Sequence, residues 1–375
     1  MALFKIKPWY KKGTGYKVMT VILDLNNPDP TTWATYADDA VGMSPGSDAW
    51  DDFFGHYPCI LDNGVELGKL KRNNFNQYED GTSIPTADGK DVMICFPRRG
   101  IKLERVNDLL YVSMTDGDNV QGYSYLAHTY KGNRCSDFYL GAYKGYVSSS
   151  KLYSKYNVSP TGSQTIGTFR TYARNRGTGY EQSGFFQLTY RQIMYLLKYK
   201  GQNAQSVIGR GYVDASAVDI TGRTYDKGMD YGTSSGTEHM KLFGLEDFYG
   251  NIHEFIDGIR SDANRQIYVS DGDFNDTGSD YISAGTPSFS SDINGYLRYP
   301  NGTNLAGFVG ASQTYGRSSA YFCDFVYVTK SRLVYFGGRF TEGTNGGVFR
   351  IAFSATASFT LAYVGARLMF FKRAA

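Results

Sequence analysis

Short apolar runs alternate with turn-forming clusters through the first third of the chain. Val18-Met19-Thr20-Val21-Ile22-Leu23, Val92-Met93-Ile94-Cys95-Phe96-Pro97 and Leu109-Leu110-Tyr111-Val112-Ser113-Met114 are of strand length. Between them stand Asn26-Asn27-Pro28-Asp29-Pro30, Ser44-Pro45-Gly46 and Thr115-Asp116-Gly117-Asp118. Apolar runs punctuated this way read as strands. Asn63-Gly64, between Cys59-Ile60-Leu61 and Val65-Glu66-Leu67, predicts a hairpin, because a two-residue type I′ turn needs positive φ at both positions. Residues 1–133 are therefore expected to form a β-rich domain, with a boundary near Tyr130-Lys131-Gly132-Asn133-Arg134.

The pattern changes after that point. Phe138 to Tyr146 alternates aromatics as a strand does, and the polar, Ser-rich stretch from Ser148 to Gln164 reads as a loop. Thr189 to Lys200 has helical spacing: Ile193, Leu196, Leu197 and the stem of Lys200 share one face. Thr189 is the expected N-cap with Gln192 completing a capping box, and Gly201 the expected stop. Asn203 to Ile208 suits a short second helix. In Gly244 to Ile259, Gly250-Asn251 predicts a turn with positive φ, followed by a buried strand that Asp257-Gly258 ends. Residues 260–330 are rich in Ser, Asp, Gly and Asn, an irregular length that a domain rarely carries without a use for it.

Composition adds three constraints. The 375 residues are 41% hydrophobic, enough for full cores, and the net charge of +3 gives no strong attraction to nucleic acid or anionic membrane. No run of about 18 apolar residues occurs, so no membrane insertion is expected. Met1 to Lys7 lacks the apolar core of a signal peptide, so synthesis in a cytoplasm without an export signal is expected. The four cysteines form no CxxC pair and read as isolated buried thiols. The 32 tyrosines and 24 phenylalanines suit both β-sheet and a binding surface, since tyrosine offers a large rigid contact with a polar handle. All three tryptophans, Trp9, Trp33 and Trp50, fall in the first region.

Gly244-Leu245-Glu246-Asp247-Phe248-Tyr249-Gly250-Asn251-Ile252-His253-Glu254-Phe255 resembles the Gly-Leu-x-Asp-x-x-Gly-Asn-Val-x-Glu-Trp core of the formylglycine-generating-enzyme branch of the C-type lectin fold. That branch includes phage receptor-binding proteins and the variable proteins of diversity-generating retroelements. Phe138 to Tyr146 resembles its opening strand, Gly337-Gly338 its Gly-Gly strand, and Gly365-Ala366-Arg367-Leu368 its last strand. Tyr36 to Gly46 is similar to N-terminal portions of phage tail proteins. The resemblance implies an α+β protein: the N-terminal β-rich domain, for virion attachment, followed by a C-type-lectin-like ligand-binding domain over 134–375 with two helices on a small sheet. It further implies a phage tail protein, at the tail tip or fibre of the virion, that binds a host cell-surface receptor (glycan or protein), contacts other tail proteins and forms a homotrimer. A structural tail or baseplate component is the alternative. Departures are Phe255 for Trp and Ala366 for Phe.

An oxidase-like activity is not expected, because the family's cysteine pair near the C-terminus is missing and Cys323 stands alone. In retroelement variable proteins the region matching Tyr335 to Tyr363 carries randomised positions among fixed ones. Adenine mutagenesis of Asn codons cannot yield Lys, Gln, Glu, Met or Trp, and only Glu342 of that set occurs in this span. By this template Tyr335, Arg339, Phe340, Thr344, Arg350, Ala352, Ser354, Ser358 and Thr360 form the exposed ligand-binding set, with aromatics such as Phe340, Phe353 and Phe359 as a binding patch. The neighbours His253 and Glu254 could titrate near neutral pH, although a structural histidine is the commoner case. No cofactor or metal is expected. Calcium is the one ion left open, at Asp271-Gly272-Asp273-Phe274-Asn275-Asp276, which lacks the twelfth-position Glu of an EF-hand.

Overall fold

Three sheets and one buried helix carry the architecture. The computed structural model describes residues 15–84, 90–285, 291–309 and 319–374. Trp9, the stretch from Met1 to Lys7 and the Ser288–Ser290 part of the expected loop lie outside the described residues.

The N-terminal strands are β1 (Val18–Asp24), β2 (Ala34–Asp38), β3 (Tyr57–Asp62), β4 (Val65–Lys71), β5 (Asn74–Tyr78), β6 (Asp91–Pro97), β7 (Gly100–Val106) and β8 (Leu109–Thr115), with the short helix α1 (Ala49–Phe54) before β3. After them come β9 (Thr129–Tyr130), β10 (Asn133–Gly141), β11 (Tyr146–Ser148), β12 (Lys151–Tyr153), α2 (Ile166–Arg174), β13 (Tyr180–Gln182), α3 (Phe185–Tyr199) and α4 (Ala204–Val207). The rest is β14 (Lys241–Leu242), β15 (Leu245–Glu246), β16 (His253–Ile256), β17 (Ile259–Ser261), β18 (Ile267–Val269), β19 (Ile282–Ser283), β20 (Ile293–Tyr296), β21 (Phe325–Val328), β22 (Leu333–Phe336), β23 (Ile351–Ala355), β24 (Val364–Gly365) and β25 (Leu368–Arg373).

One sheet is β2-β1-β8-β7. A second runs β13-β25-β10-β6-β3-β4-β5, with β9 added on β10, and a third runs β20-β21-β23-β22-β16-β24. The expected boundary at 133/134 falls at the start of β10, which pairs with β6 on one side and β25 on the other, so hydrogen bonding is continuous across it. The strands that resemble the opening and last strands of a lectin-like domain lie side by side, with Tyr139 opposite Phe370. The architecture is α+β, as expected.

Local readings held where turn chemistry decides. Asn63 and Gly64 take φ of 47° and 80° and join β3 to β4. The main helix differs from its expectation. It starts at Phe185 with Gly184 as N-cap, and it ends on Lys200 in the left-handed conformation, not on Gly201. Thr189 is thus internal. Every residue from Phe185 to Lys198 is buried, so the helix has no solvent face. A helix buried all round must pair its polar side chains. Gln187 donates to the Ala127 carbonyl, Gln192 to the Val348 carbonyl, and Lys198 bridges Asp51 and Asp230. Tyr36 and Trp33 cover its C-terminal turn through the Leu197 and Lys200 carbonyls. The helix α2 was not foreseen. Its polar sequence is held by tertiary ion pairs, Arg170 to Asp257 and Asp276 and Arg174 to Glu181.

Candidate functional site

The site is built on a rigid support. In the Gly244–Ile259 stretch, Gly250 and Asn251 have φ of 92° and 61°. A Cβ on Gly250 would lie 2.8 Å from the Tyr212 carbonyl oxygen, so only glycine fits. The next strand, β16, pairs with β22 on one edge and, in parallel, with β24 on the other. This places Arg367 against Glu254, its Nε 2.9 Å from Oε2. Lys144 Nζ reaches the same oxygen at 3.3 Å, and Arg191 Nη2 lies 3.8 Å from Oε1. Burial would raise the Glu254 carboxyl, but the charges of Arg367, Lys144 and Arg191 outweigh it and hold it at about 2.

Alternation along β16 turns His253 the other way. The two neighbours therefore form no titrating pair, and His253 is a buried structural histidine, the commoner case. His253 lies 4.7 Å from the Tyr335 ring and 6.3 Å from the Tyr363 ring. Tyr335 stacks in turn on Phe359 at 5.8 Å with ring planes 5° apart. Ser354 donates to the Tyr335 hydroxyl at 2.9 Å. The Arg339 guanidinium sits 3.9 Å from the Tyr363 ring centroid and has no carboxylate partner among the described residues. Glu342 accepts from Nε and Nη2 of Arg350 at 3.0 and 2.9 Å, and its other oxygen is 3.4 Å from His253 Nε2. Burial, then the charges of Arg350 and Arg339, push His253 well below its ordinary pKa, so this is a polar contact of a neutral ring.

Of the expected ligand-binding set, Thr344, Ser358 and Thr360 are exposed, and Tyr335, Arg339, Phe340 and Ser354 are half-buried. Two do not fit an exposed set. Ala352 is 1% exposed in the middle of the sheet, on a strand paired on both sides, and Arg350 is 7% exposed because Glu342 draws it inward. Phe353 is also core, whereas Phe359 is half-buried in the patch. Sequence reasoning missed Tyr363, Glu342 and the role of His253. Tyr363 was legible as an aromatic at the end of the same span.

The chain is similar to three solved Major Tropism Determinant structures, the P3c, M1 and I1 variants. Identity is 11%, 11% and 12%, the TM-score is 0.33 for each, and the match covers 88% of this chain and 73% of each of those. No protein-family model and no curated protein matches the chain.

Thiol chemistry is poorly supported by the cysteines. All four are buried and unpaired. Burial pushes Cys323 and Cys95 up to about 12 and Cys135 up to about 11, far from a reactive thiolate. The acidic loop is committed elsewhere: Asp276 pairs with Arg170, Asp273 with Lys131, and Asp271 accepts the Gly132 amide. Among the described residues only His239, Glu246 and Asp247 cluster as metal ligands do. Both His239 nitrogens are engaged, Nδ1 with Asp247 at 2.9 Å and Nε2 with Asp219 at 3.1 Å. Burial would lower His239, but Asp247, Glu246 and Asp219 raise it to about 9, so an imidazolium ties these carboxylates together. Among the described residues no helix is long and apolar enough to cross a membrane.

Proposed function

We propose that this chain is a host-recognition protein of a phage tail, carried at the tail tip or fibre of the virion. It binds a cell-surface receptor non-covalently through the surface of Tyr335, Arg339, Phe340, Thr344, Ser354, Phe359 and Tyr363, with Ser358 and Thr360 on its rim. The observation that carries this reading is the half-buried aromatic group capped by an arginine with no carboxylate partner among the described residues, standing on a support whose charged side chains each have an ion-pair or hydrogen-bond partner. Rigid aromatics and arginine are the side chains that dominate recognition energetics, and a locked support reduces the ordering cost of binding. Catalysis is not part of the proposal. A homotrimer would multiply weak contacts into avidity, and contacts with other tail proteins would anchor it.

Diversification of the exposed positions by a retroelement belongs to the same proposal. It is supported by the residue usage of Tyr335 to Tyr363. A reverse transcriptase gene and a near-copy of the 3′ end of this gene in the neighbouring DNA would support it, and their absence would remove it.

Alanine scanning of the surface, scored separately for host adsorption and particle assembly, tests recognition. Lost adsorption on normally assembled particles supports it. Particles that fail to assemble with any of these changes would favour a structural tail or baseplate component.

A further inference from the structure

The β2-β1-β8-β7 sheet, far in sequence from the Tyr335 surface, carries a second concavity. The segment after β8 folds back over the outer face of the sheet. It is pinned there by reciprocal backbone hydrogen bonds between Ser124 and Ile101 of β7, and it is braced internally because the Tyr125 hydroxyl donates to the Gly117 carbonyl and accepts from the Val120 amide. The groove between this segment and the sheet holds about 650 Å³, within the size range of small-molecule sites.

Its floor is polar although it is buried. Thr20 and Ser113 face each other across the β1–β8 pair, 3% and 6% exposed, and share a hydrogen bond of 2.8 Å. Thr20 also donates to Asp38 Oδ2 at 2.6 Å. Tyr123 lines the same groove as Ser113 and brings a phenol to its wall. Tyr16 and Tyr111 add two more rings. The cation of the groove, Lys102, is paired with Glu104. Among the described residues that line the groove no unpaired cation faces an anionic ligand, and Asp38 and Glu104 repel one.

We infer that this groove is a binding site for a neutral carbohydrate of one or two rings. Thr20 gives its proton to Asp38 and Ser113 gives its own to Thr20, so the floor offers acceptor lone pairs and the Tyr123 and Tyr111 phenols on the walls offer donors, a mixture that matches the hydroxyls of a polyol. Tyrosine rings give flat apolar faces for the C–H side of a sugar ring, with a phenol at the edge for its hydroxyls. The site is independent of the Tyr335 surface, and neither requires the other.

The test is saturation-transfer NMR and calorimetry of the full chain. The probes are glucose, galactose, mannose, N-acetylglucosamine, rhamnose, maltose and cellobiose, with glucuronate as the anionic control. At least one neutral sugar is expected to bind with Kd of about 1 mM or tighter, and glucuronate more weakly. Ser113→Ala and Tyr123→Phe should each weaken binding roughly tenfold, the size of one or two lost hydrogen bonds. Should Ser113→Ala disturb folding, Tyr111→Ala and Gln121→Ala on the walls replace it, with the same expected loss. Arg339→Ala should bind the sugar as the unaltered protein does. Failure of every neutral sugar to bind at tens of millimolar overturns the inference. So does binding that survives the wall variants, or a preference for glucuronate.

Discussion

The Gly244–Ile259 stretch and the Tyr335–Tyr363 span lie against each other but spend their residues differently. In the first, every residue is buried and each charged side chain has an opposite charge or hydrogen-bond partner. In the second, core residues such as Val348, Phe353 and Ala355 alternate with half-buried aromatics and exposed Thr, Ser and Ala. Shape in the first region is fixed by backbone that tolerates one residue type. The second needs only that its inward positions stay apolar, and its outward positions are free to change. Under the proposed function, separating a fixed support from a changeable surface would let specificity vary without loss of fold.

The largest expected effect comes from breaking the support. Gly250→Val would place a branched side chain where φ is 92° and the Tyr212 backbone stands 2.8 Å from the Cβ. It should cost at least about 4 kcal/mol, read as loss of soluble protein or collapse of the thermal transition. A protein that melts like the unaltered chain would show that the support lies elsewhere.

Next is Glu254→Gln, which leaves Arg367, Lys144 and Arg191 buried without their anion. A loss of about 3–5 kcal/mol in chemical denaturation is expected. The sign of the pH effect follows from the depressed carboxyl. Its stabilisation is present above the unfolded value of 4.5 and is lost as pH falls through about 2.

His239 gives a smaller effect in the opposite pH direction. Its folded value of about 9 lies above the ordinary 6.5, so its contribution is full below 6.5 and is lost as pH rises through 9. His239→Gln should therefore be less stable than the unaltered chain at pH 6, by on the order of 2 kcal/mol, with the gap narrowing by pH 9.5. A gap that stays constant over that range would remove the imidazolium from between Asp247 and Asp219.

The smallest stability effects belong to the surface. Thr344→Ala, Ser358→Ala and Thr360→Ala should each shift stability by no more than about 0.5 kcal/mol, because their side chains are exposed. A larger shift from any of them would place it in the support.

What could be read from the sequence divides along physical lines. The Asn63-Gly64 hairpin and the Gly250-Asn251 turn were legible because positive φ leaves a local mark. The strands β1, β6 and β8 were legible because their apolar runs are short and bounded. The start of α3 was not, because Phe185 and Phe186 are as apolar as a strand and no side chain caps the helix. Helix α2 was hidden because Gly167, two threonines and an aromatic pair weaken its propensity, and Asp257 and Glu181 hold it from elsewhere in the chain. The continuity of one sheet through residue 133 depends on pairing between strands distant in sequence, which no local pattern records. At the site, the span was legible and its inward and outward positions were not. Ala352 has strands on both sides and Arg350 is turned in by Glu342, contacts that need the register of β22 and β23.

The most direct test of the central claim uses particles carrying Arg339→Ala and Tyr363→Ala. These variants remove the Arg339 guanidinium and the ring beneath it without touching Glu254 or Gly250. Host adsorption is measured against particle yield and against the melting curve of the isolated chain. Adsorption should fall at least tenfold, as expected for centrally placed arginine and aromatic contacts, while yield and melting stay as in the unaltered protein. Adsorption at the unaltered level on particles of normal yield would contradict the claim that this surface recognises the host.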